Sequence, residues 1–428
     1  MSINSTHTST VEAEVTTNHQ PTESSNTNRK ILDIQQTTCC IVGGGPAGAV
    51  LALLLARKGI SVMLLEAHKD FDRYFRGDTI HSSVLELMDE LGLADRLLQI
   101  RHTKTYKYIT QTSDGPVTFA DFSRLKSKFP FMMIMEQVRF LEFIMTEAKQ
   151  YPNFQLVMGA NVQELIEEDG VIRGVRYRGQ GGWHEVRADL TVGADGRFSR
   201  TRHLAGLNLK KHETPIDVLW FRLPRKPDEP EEELGEFGQG CLLVLTNRFE
   251  YWQVGYIIPK GQYQQIHASG LEALRQSVAE TMPMLADRVA HLKDWKQVAL
   301  LPVVSGLVER WHRPGLLLIG DAAHVMSPIG GVGINYAIQD AVVTANVLST
   351  PLAKKQLQQR HLAAVQRQRE LPTRIIQWFQ SLSHEQVIVK TFKSGKQFKP
   401  PKIMLLPLMR DLPAALMGYG VWPVHIKN

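Results

Sequence analysis

The stretch from Cys39 to Glu66, CCIVGGGPAGAVLALLLARKGISVMLLE, constrains the fold more than any other part of the chain. Residues 39–56 carry no charge and on hydropathy alone are long enough to span a bilayer. The run Gly43 to Pro46, however, would break a membrane helix soon after its start. The residues instead predict a strand over 39–42, a glycine turn, a helix from about Pro46 to Lys58, and a second strand over 61–65.

The glycines of this stretch fit the dinucleotide-binding fingerprint. Gly43 permits the tight turn, Gly45 lets the backbone approach a pyrophosphate, and Gly48 lets helix and strand pack closely. Pro46 suits the first helical position, and the helix N-terminus offers free N–H groups to phosphate. Glu66 stands where an acidic residue bonds a ribose hydroxyl. The pattern predicts a dinucleotide site; the alternative is a glycine-rich turn with an incidental Glu.

The composition is that of an ordinary globular protein. A chain of 428 residues suggests two closely packed domains, and contents of 43% hydrophobic and 21% charged residues are usual for soluble proteins. Cys39, Cys40 and Cys241 form neither a disulfide framework nor a metal-ligand pattern, so we expect buried thiols in a reducing cytoplasm. Residues 1–30 are rich in Ser, Thr and Asn without a signal peptide, and we predict a disordered tail.

The net charge of +6 is unevenly placed, since residues 351–428 contain 13 Lys or Arg against three Asp or Glu. Helices that cover the core with a solvated basic face are one interpretation. Peripheral contact with an anionic membrane surface is the other. Nucleic-acid binding is not expected, because the basic residues are not interleaved with stacking aromatic residues.

Strand-like runs dominate the middle of the chain. Residues 103–121 alternate around Asp114-Gly115 and predict a hairpin. Residues 214–305 read as a strand meander with one helix over about 270–292, which suits a sheet-based second domain. Within this section we predict that the acidic stretch KPDEPEEELGE, residues 226–236, is a surface loop.

Two further motifs follow the fingerprint. In LTVGADGRFSRTR a buried strand delivers Asp195-Gly196 into a turn, although Asp195 alone could serve only to cap that turn. In RPGLLLIGDAAHVMSPIGGVGINYAIQDA a strand ends at Gly320-Asp321, and a glycine-rich loop leads into a helix from about Gly333. His324 in this motif is expected to support the site rather than act as an acid or base.

With these three motifs in order, the chain resembles the FAD-dependent monooxygenases typified by para-hydroxybenzoate hydroxylase, the group A flavin hydroxylases, over roughly residues 38–350. The resemblance implies an α/β fold with a Rossmann-like FAD-binding domain of the GR2 type, an inserted β-sheet substrate domain and C-terminal helices. The expected division is a tail (1–35), the FAD-binding domain (36–110, 135–213 and 306–350), the substrate domain (111–134 and 214–305) and a basic helical region (351–428).

The resemblance also implies which residues contact FAD. Arg76 is expected against the phosphates and near the nicotinamide cofactor, Gln137 near the ribityl chain, and Asp321 on the ribityl hydroxyls. The implied cofactor-binding residues are Gly43, Gly45, Pro46, Ala47, Gly48, Glu66, Arg76, Gln137, Asp195, Gly320, Asp321, Pro328, Gly330, Gly331, Gly333, Ile334 and Asn335. The helix starting near Gly333 would point its positive end at the N1–C2=O side of the flavin.

The implied activity is monooxygenation. NAD(P)H reduces FAD, O2 adds at the flavin C4a, and the hydroperoxide hydroxylates an aromatic or other electron-rich, apolar small molecule. The candidate pocket residues are Trp220, Arg222, Tyr256 and Pro328. Trp220 and Arg222 share one face of a strand, although a packing Trp and a surface Arg are an equal alternative. A monomer and a homodimer are both compatible with the sequence.

Three other functions are compatible with the same motifs. The first is a flavin-dependent reductase of the prenyl reductase type. The second is a flavin-dependent halogenase, disfavoured because the stretch Trp252 to Pro259 departs from the WxWxIP pattern of those enzymes. The third is a non-catalytic FAD-binding module, which would bind FAD without NAD(P)H turnover.

Overall fold

The computed structural model of the chain describes residues 30–72, 78–112, 115–394 and 407–427. Residues 1–29 of the predicted disordered tail lie outside these ranges, as do Arg76 and Asp114. The tail prediction was wrong for residues 31–35, because they begin the strand Ile31–Val42 and pair in parallel with the strand Gly182–Gly193. No helix within them is both long enough and apolar enough to cross a membrane.

The helices and strands alternate through the first two-fifths of the chain, and a strand-rich section follows. The α-helices are α1 (Pro46–Arg57), α2 (Ser82–Glu90), α3 (Ala94–Leu97), α4 (Gln137–Ala148), α5 (Arg200–Leu204), α6 (Tyr263–Ala268), α7 (Leu271–Thr281), α8 (Gly333–Ala353), α9 (Gln359–Ser383), α10 (Lys390–Ser394) and α11 (Pro407–Gly418). The strands are β1 (Ile31–Val42), β2 (Val62–Glu66), β3 (Thr79–Ile80), β4 (Thr103–Thr105), β5 (Lys107–Thr112), β6 (Gly115–Asp121), β7 (Met132–Ile134), β8 (Phe154–Met158), β9 (Asn161–Glu168), β10 (Val171–Gly179), β11 (Gly182–Gly193), β12 (Leu209–His212), β13 (Ile216–Pro224), β14 (Glu233–Phe237), β15 (Leu242–Asn247), β16 (Tyr251–Pro259), β17 (Ala299–Pro302), β18 (Ser305–Val308), β19 (His312–Arg313), β20 (Leu316–Leu318) and β21 (His324–Val325).

The first sheet has the parallel core expected of a dinucleotide-binding fold. Strands β8, β2, β1, β11 and β20 lie side by side in parallel, while β9, β10 and β19 add antiparallel pairs. Cys39 and Cys40 are fully buried on opposite faces of β1 and belong to different core clusters. This arrangement confirms the strand, turn, helix and strand predicted from the fingerprint.

Helix α1 lies under this sheet and is buried along nearly its whole length, against α8 and α4. Gly48 makes the close approach possible, because a Cβ there would lie 2.0 Å from the carbonyl oxygen of Gly43. Gly48 therefore has the role expected of the third glycine of the fingerprint, which is to let the helix pack closely on the turn after the strand. Met132, Met133 and Met135 are buried core residues.

The second large sheet runs in the order β17-β13-β16-β15-β14-β5-β6. Helix α7 and the turns after it cover one face, and the other face is turned toward a cavity. The predicted helix over 270–292 ends at Thr281, because Pro283 lacks an N–H and Met282 before it is extended. Strand β5 begins at Lys107 and pairs with β6 and β14, so it crosses the domain boundary predicted at residue 111.

The acidic stretch predicted to be a surface loop is only partly one. Its last four residues enter β14, where Glu233 is 2% exposed. The Glu229 side chain is also buried and pairs with Arg288 at 2.6 Å while accepting a hydrogen bond from the Trp252 indole at 2.7 Å. The surface-loop prediction was wrong for these two residues because other segments of the fold supply hydrogen-bond partners for buried carboxylates. Arg288 and Trp252 contact Glu229, and Thr246 contacts Glu233.

The C-terminal helices close the molecule over the first sheet and the cavity. Helix α9 packs along α8, and α11 packs against β6. Met417 of α11 lies against Gly330, where a Cβ would sit 3.3 Å from the methionine side chain. Residues far apart in the chain thus meet at the glycine-rich loop.

Candidate active site

A cavity of about 840 Å³ begins at the carboxyl ends of β1, β2 and β11 and extends to the open face of the seven-stranded sheet. Parallel sheets bind ligands at this edge, where the turns after the strands converge. The same cavity therefore joins the dinucleotide fingerprint to the strand-rich section of the chain.

The glycine turn after β1 leaves space where a phosphate chain would lie. Gly43 has φ +107°, and a Cβ there would lie 2.5 Å from the Ala194 carbonyl oxygen. A Cβ at Gly45 would meet no atom within 4 Å, so open cavity lies beside it. No side chain of the described residues caps the N-terminus of α1, which leaves its first N–H groups for a ligand.

Glu66 at the end of β2 lines the cavity beside this turn. One carboxylate oxygen accepts from the Gly44 N–H at 2.9 Å, and the other accepts from the His68 N–H at 2.9 Å. His68 Nδ1 lies 2.6 Å from the second oxygen. Glu66 thus shapes the turn as well as facing the ligand space. The open turn, the uncapped helix and the carboxylate at the strand end together fit the pyrophosphate and ribose of FAD.

Asp195 both caps a turn and lines the cavity. Its carboxylate accepts from the Ser199 hydroxyl and from the Thr201 N–H, the latter at 2.8 Å. Arg202 then reaches from α5 to the next motif and donates to the Ala322 carbonyl at 3.0 Å. Burial lowers the pKa of Arg202, and the charges of Asp195 and Asp321 oppose that shift. Arg202 therefore ties together two motifs that lie more than a hundred residues apart.

A buried ionic group holds the Gly320-Asp321 turn. Asp340 of α8 accepts from the Gly320 N–H at 2.9 Å, from His324 Nε2 at 2.6 Å and from Arg369 Nε at 2.7 Å. Burial would raise the pKa of Asp340, but His324 and Arg369 hold it below its ordinary value. His324 is 1% exposed and does not line the cavity, so its place matches a supporting role.

The loop from Pro328 to Gly333 forms the wall opposite the second sheet. Gly330 and Gly331 have φ of +77° and +60°, which L side chains rarely adopt. His81 Nε2 hydrogen-bonds the Gly330 carbonyl at 2.9 Å, and burial lowers the pKa of His81 to about 4. Asn335 accepts from the His81 N–H at 2.9 Å, so the loop is held from behind.

The structure brings most of the predicted FAD contacts to the cavity wall and places three behind it. Gly48, Gly320 and Asn335 do not line the cavity but shape the turns that do. Arg76 lies outside the described residues. The residues that line the cavity are Gly43, Gly45, Pro46, Ala47, Glu66, Gln137, Asp195, Asp321, Pro328, Gly330, Gly331, Gly333 and Ile334.

The four candidate pocket residues separate in the structure. Trp220 and Pro328 line the cavity. Tyr256 does not, because it points to the opposite face of the sheet, where its hydroxyl lies 2.7 Å from Ser277 Oγ. Arg222 shares the face of Trp220 but lies beyond the cavity rim, exposed and 4.9 Å from the centre of the Tyr251 ring.

The cavity face of the second sheet has a flat, apolar middle. Gly255 and Gly235 flank Val244 across neighbouring strands, and the Trp220 ring lies over Gly255. Without side chains at the two glycines the floor stays level. A flat ring system would have room to lie on it.

Beside this floor runs a row of polar residues that the sequence predictions missed. Gln253, Thr246, Glu233 and Tyr108 belong to adjacent strands, and all four line the cavity. Thr246 Oγ1 donates to Glu233 Oε2 at 3.2 Å, and Tyr108 hydrogen-bonds the same carboxyl. Burial raises the pKa of Glu233 to about 7, although these two hydrogen bonds lower it.

Comparison with known proteins places this geometry in a family. The family model described as "FAD binding domain" matches residues 36–397. A 6-methylpretetramide 4-monooxygenase from Streptomyces rimosus is 34% identical over 409 residues, which are 94% of this chain and 96% of that relative.

Solved structures show the same fold at low sequence identity. A P. aeruginosa PqsL structure in complex with 2-aminobenzoylacetate has a TM-score of 0.72 at 20% identity, with 82% of this chain and 97% of that chain covered. The OxyS anhydrotetracycline hydroxylase from Streptomyces rimosus has a TM-score of 0.71 at 21% identity, with 90% and 76% covered.

Proposed function

The chain belongs to the FAD binding domain family and is an FAD-dependent monooxygenase of the para-hydroxybenzoate hydroxylase-like class, and from this premise we propose that it hydroxylates a flat, fused-ring phenol at the expense of NAD(P)H. The observation that carries this proposal is that one continuous cavity runs from the FAD fingerprint to the level floor of the second sheet. The 34% identical relative is named as a monooxygenase of 6-methylpretetramide, which supports the same substrate class.

The residues that line the cavity form two parts, one that would hold FAD and one that would hold the substrate. Gly43 to Ala47, Glu66 and Asp321 would hold FAD, and the uncapped N-terminus of α8 adds positive potential beside the loop from Pro328 to Gly333. Bound FAD supplies electron transfer from NAD(P)H and activation of O2 for insertion of one oxygen atom. The flavin-bound oxygen species that the resemblance implies stays a prediction.

The substrate part of the cavity must orient the ring and exclude water. Trp220 and the floor at Gly235 and Gly255 offer a flat contact surface, and Phe237, Leu242 and Ile257 keep one end apolar. Orientation of a reacting carbon by fixed contacts contributes much of the rate in such reactions. Exclusion of water protects the activated oxygen from release as peroxide.

The test is NAD(P)H oxidation in air by the FAD-loaded protein, with peroxide quantified, across monocyclic phenols, fused-ring polyphenols, quinone precursors and polyprenyl compounds. We expect fused-ring polyphenols to stimulate oxidation most, with peroxide well below the NAD(P)H consumed. NADH and NADPH are compared in the same assay. If reduced flavin persists in air and passes electrons to an alkene, a reductase is the correct function and the proposal fails.

We further propose that the basic C-terminal region makes weak contact with anionic membranes in the cytoplasm. Helix α9 exposes Leu371, Trp378 and Leu382 on one face beside Arg374, with Trp378 64% exposed. Sedimentation with phosphatidylserine vesicles should retain the protein at low salt and lose it in Trp378→Ala. Equal sedimentation of both proteins would contradict this proposal. The sedimentation coefficient of the protein without vesicles distinguishes a monomer from a homodimer.

A further inference from the structure

We propose that Glu233 is the group that takes the proton from the substrate hydroxyl, with Tyr108 and Thr246 positioning its carboxylate. This inference rests on the proposed function, since it assigns a residue to the ionisation of a phenolic substrate. Glu233 opens β14, is 2% exposed, and yet forms part of the cavity wall.

The position of Glu233 is defined from both sides by hydrogen-bond donors. Tyr108 is its partner on the parallel strand β5, and Thr246 donates to Oε2 from β15 at 3.2 Å. Two donors fix the orientation of a carboxylate while leaving acceptor positions free, because an ionised carboxylate has about four lone-pair sites. The free positions of a residue that lines the cavity are available to a bound hydroxyl.

A buried carboxylate usually has a cation as its partner, and Glu233 is an exception. Among the described residues no Lys, Arg or His forms an ion pair with it. The nearest cation along the row is Arg248, which reaches Gln253 at 3.4 Å but is itself paired with Asp78. In the described part of the chain, the titratable groups that the row brings toward Glu233 are Tyr108 on one side and the Arg248–Asp78 pair at the far end.

The lack of a counter-ion leaves Glu233 ready to change its protonation state near neutral pH. Burial raises the pKa of its carboxyl to about 7, which is where a general base works best in a neutral medium. The Arg248–Asp78 pair carries no net charge, so it does not oppose a second negative charge in the cavity. Burial and the Glu233 charge raise the pKa of Tyr108 well above its ordinary value, so the tyrosine stays a neutral donor.

The proton transfer is balanced within the complex. The O–H bond of the substrate breaks, its electron pair stays on the substrate oxygen, and the proton binds a Glu233 oxygen. The ring then carries more electron density at the carbon to be hydroxylated. When the hydroxylated ring regains its aromatic form, the reacting carbon would lose its hydrogen as a proton, which would neutralise the oxygen atom left with the cofactor. Glu233 returns its own proton to the ring oxygen and is again a carboxylate.

Glu233 also stands on the correct wall for this role. Tyr108 and Phe119 pack in one cluster with Met326 and Val332, which flank the loop assigned to the flavin ring. A substrate lying on the floor at Gly235 and Gly255 would touch the polar row with its edge and the loop with its face. One hydroxyl on that edge is then within reach of Glu233.

The decisive variant is Glu233→Gln, which keeps the size of the side chain and removes the base. Its matched control is Glu236→Gln on the same strand, where burial also raises the pKa of the carboxyl but the side chain does not line the cavity. Hydroxylation of the most active fused-ring polyphenol is followed from pH 5.5 to 9. A nitro-substituted analogue of the same polyphenol, already ionised in solution, is measured in parallel.

We expect wild type and Glu236→Gln to lose kcat/KM as the pH falls below about 7. Glu233→Gln should be slower by about 10²–10⁴-fold at pH 7.5 and should lack that limb of the profile. It should regain most of its activity with the ionised analogue, which a loss of structure would not allow. The polyphenol without the nitro group is also bound to the oxidised protein in the absence of NAD(P)H, and its absorbance is recorded. The spectrum should be that of the phenolate in wild type and that of the neutral phenol in Glu233→Gln.

Three results would overturn the inference. The first is a Glu233→Gln variant with the wild-type profile. The second is an equal defect with the neutral and the ionised substrates. The third is a neutral bound phenol in the wild-type protein. If wild type hydroxylates no polyphenol at all, the proposed function fails first, and the two failures are therefore distinguishable.

Discussion

Replacing Glu233 by glutamine should stabilise the fold, and the gain should depend on pH. Because burial raises the pKa of this carboxyl from 4.5 to about 7, the folded wild type resists its ionisation. Sign matters here. A raised pKa leaves stability intact below pH 4.5 and removes it as the pH rises toward and through 7. Linkage over this interval gives a loss of about 3 kcal/mol above pH 7.

Glutamine avoids this loss because it does not ionise. The difference in free energy of unfolding between Glu233→Gln and wild type should therefore be near zero at pH 4.5 and rise to about 3 kcal/mol by pH 8. The assay is urea unfolding of the FAD-loaded proteins, at one fixed FAD concentration, at five pH values between 4.5 and 8. Glu142→Gln, on the exposed side of α4, is the control and should give no pH-dependent difference.

A difference that is constant across pH, or a glutamine variant that is less stable at pH 8, would refute the reasoning. Either result would mean that Glu233 has a counter-ion or reaches solvent in solution. If the gain does appear, the wild-type protein keeps a destabilising carboxylate at its substrate wall. Residues that are retained at a cost in stability are commonly those that function requires.

Three further predictions test the frame of the site. Gly43→Ala should lose bound FAD, because its Cβ would lie 2.5 Å from the Ala194 carbonyl oxygen. The control Gly59→Ala has open space around the added Cβ and should keep FAD. Equal FAD content in the two purified variants would contradict this prediction. Arg369→Met should lower the free energy of unfolding by about 3–5 kcal/mol, because the buried Asp340 loses a charged partner. A loss below about 1 kcal/mol in urea unfolding would show that His324 alone is enough to stabilise the Asp340 carboxylate. His81, whose pKa is lowered to about 4, should make wild type less stable by up to about 3 kcal/mol as the pH falls from 6.5 to 4, and His81→Gln should flatten that slope.

The parts of the fold that local sequence patterns determine could be predicted. The glycine spacing and the charge-free runs predicted the end of β1, helix α1, strand β2 and the position of Glu66, because turn, helix and strand each depend on residues close in the chain. The first part of β1, residues 31–38, was not predicted. Alternation along β13 correctly put Trp220 and Arg222 on one face. Alternation does not reveal how far a cavity extends, and so the place of Arg222 beyond its rim was not predictable.

The contacts that join distant segments could not be read from the sequence. Tyr256 lies under α7 because that helix covers one face of the sheet, and the strand alone does not say which face is covered. The pairing of Asp340 with Arg369 joins two helices. A single signal was available, an Asp among the small apolar residues of α8, which in a buried helix face predicts a charged partner. Glu233 gave no such signal, because it lies among several other carboxylates, a pattern that is typical of surface loops.

The contact between Met417 and Gly330 has a consequence for biosynthesis. Met417 of α11 packs on the glycine loop that the resemblance places beside the flavin ring, and α11 is the last helix in the described part of the chain. During translation the fingerprint around α1 leaves the ribosome hundreds of residues earlier. The cavity wall at Gly330 is therefore completed only after α11 has emerged.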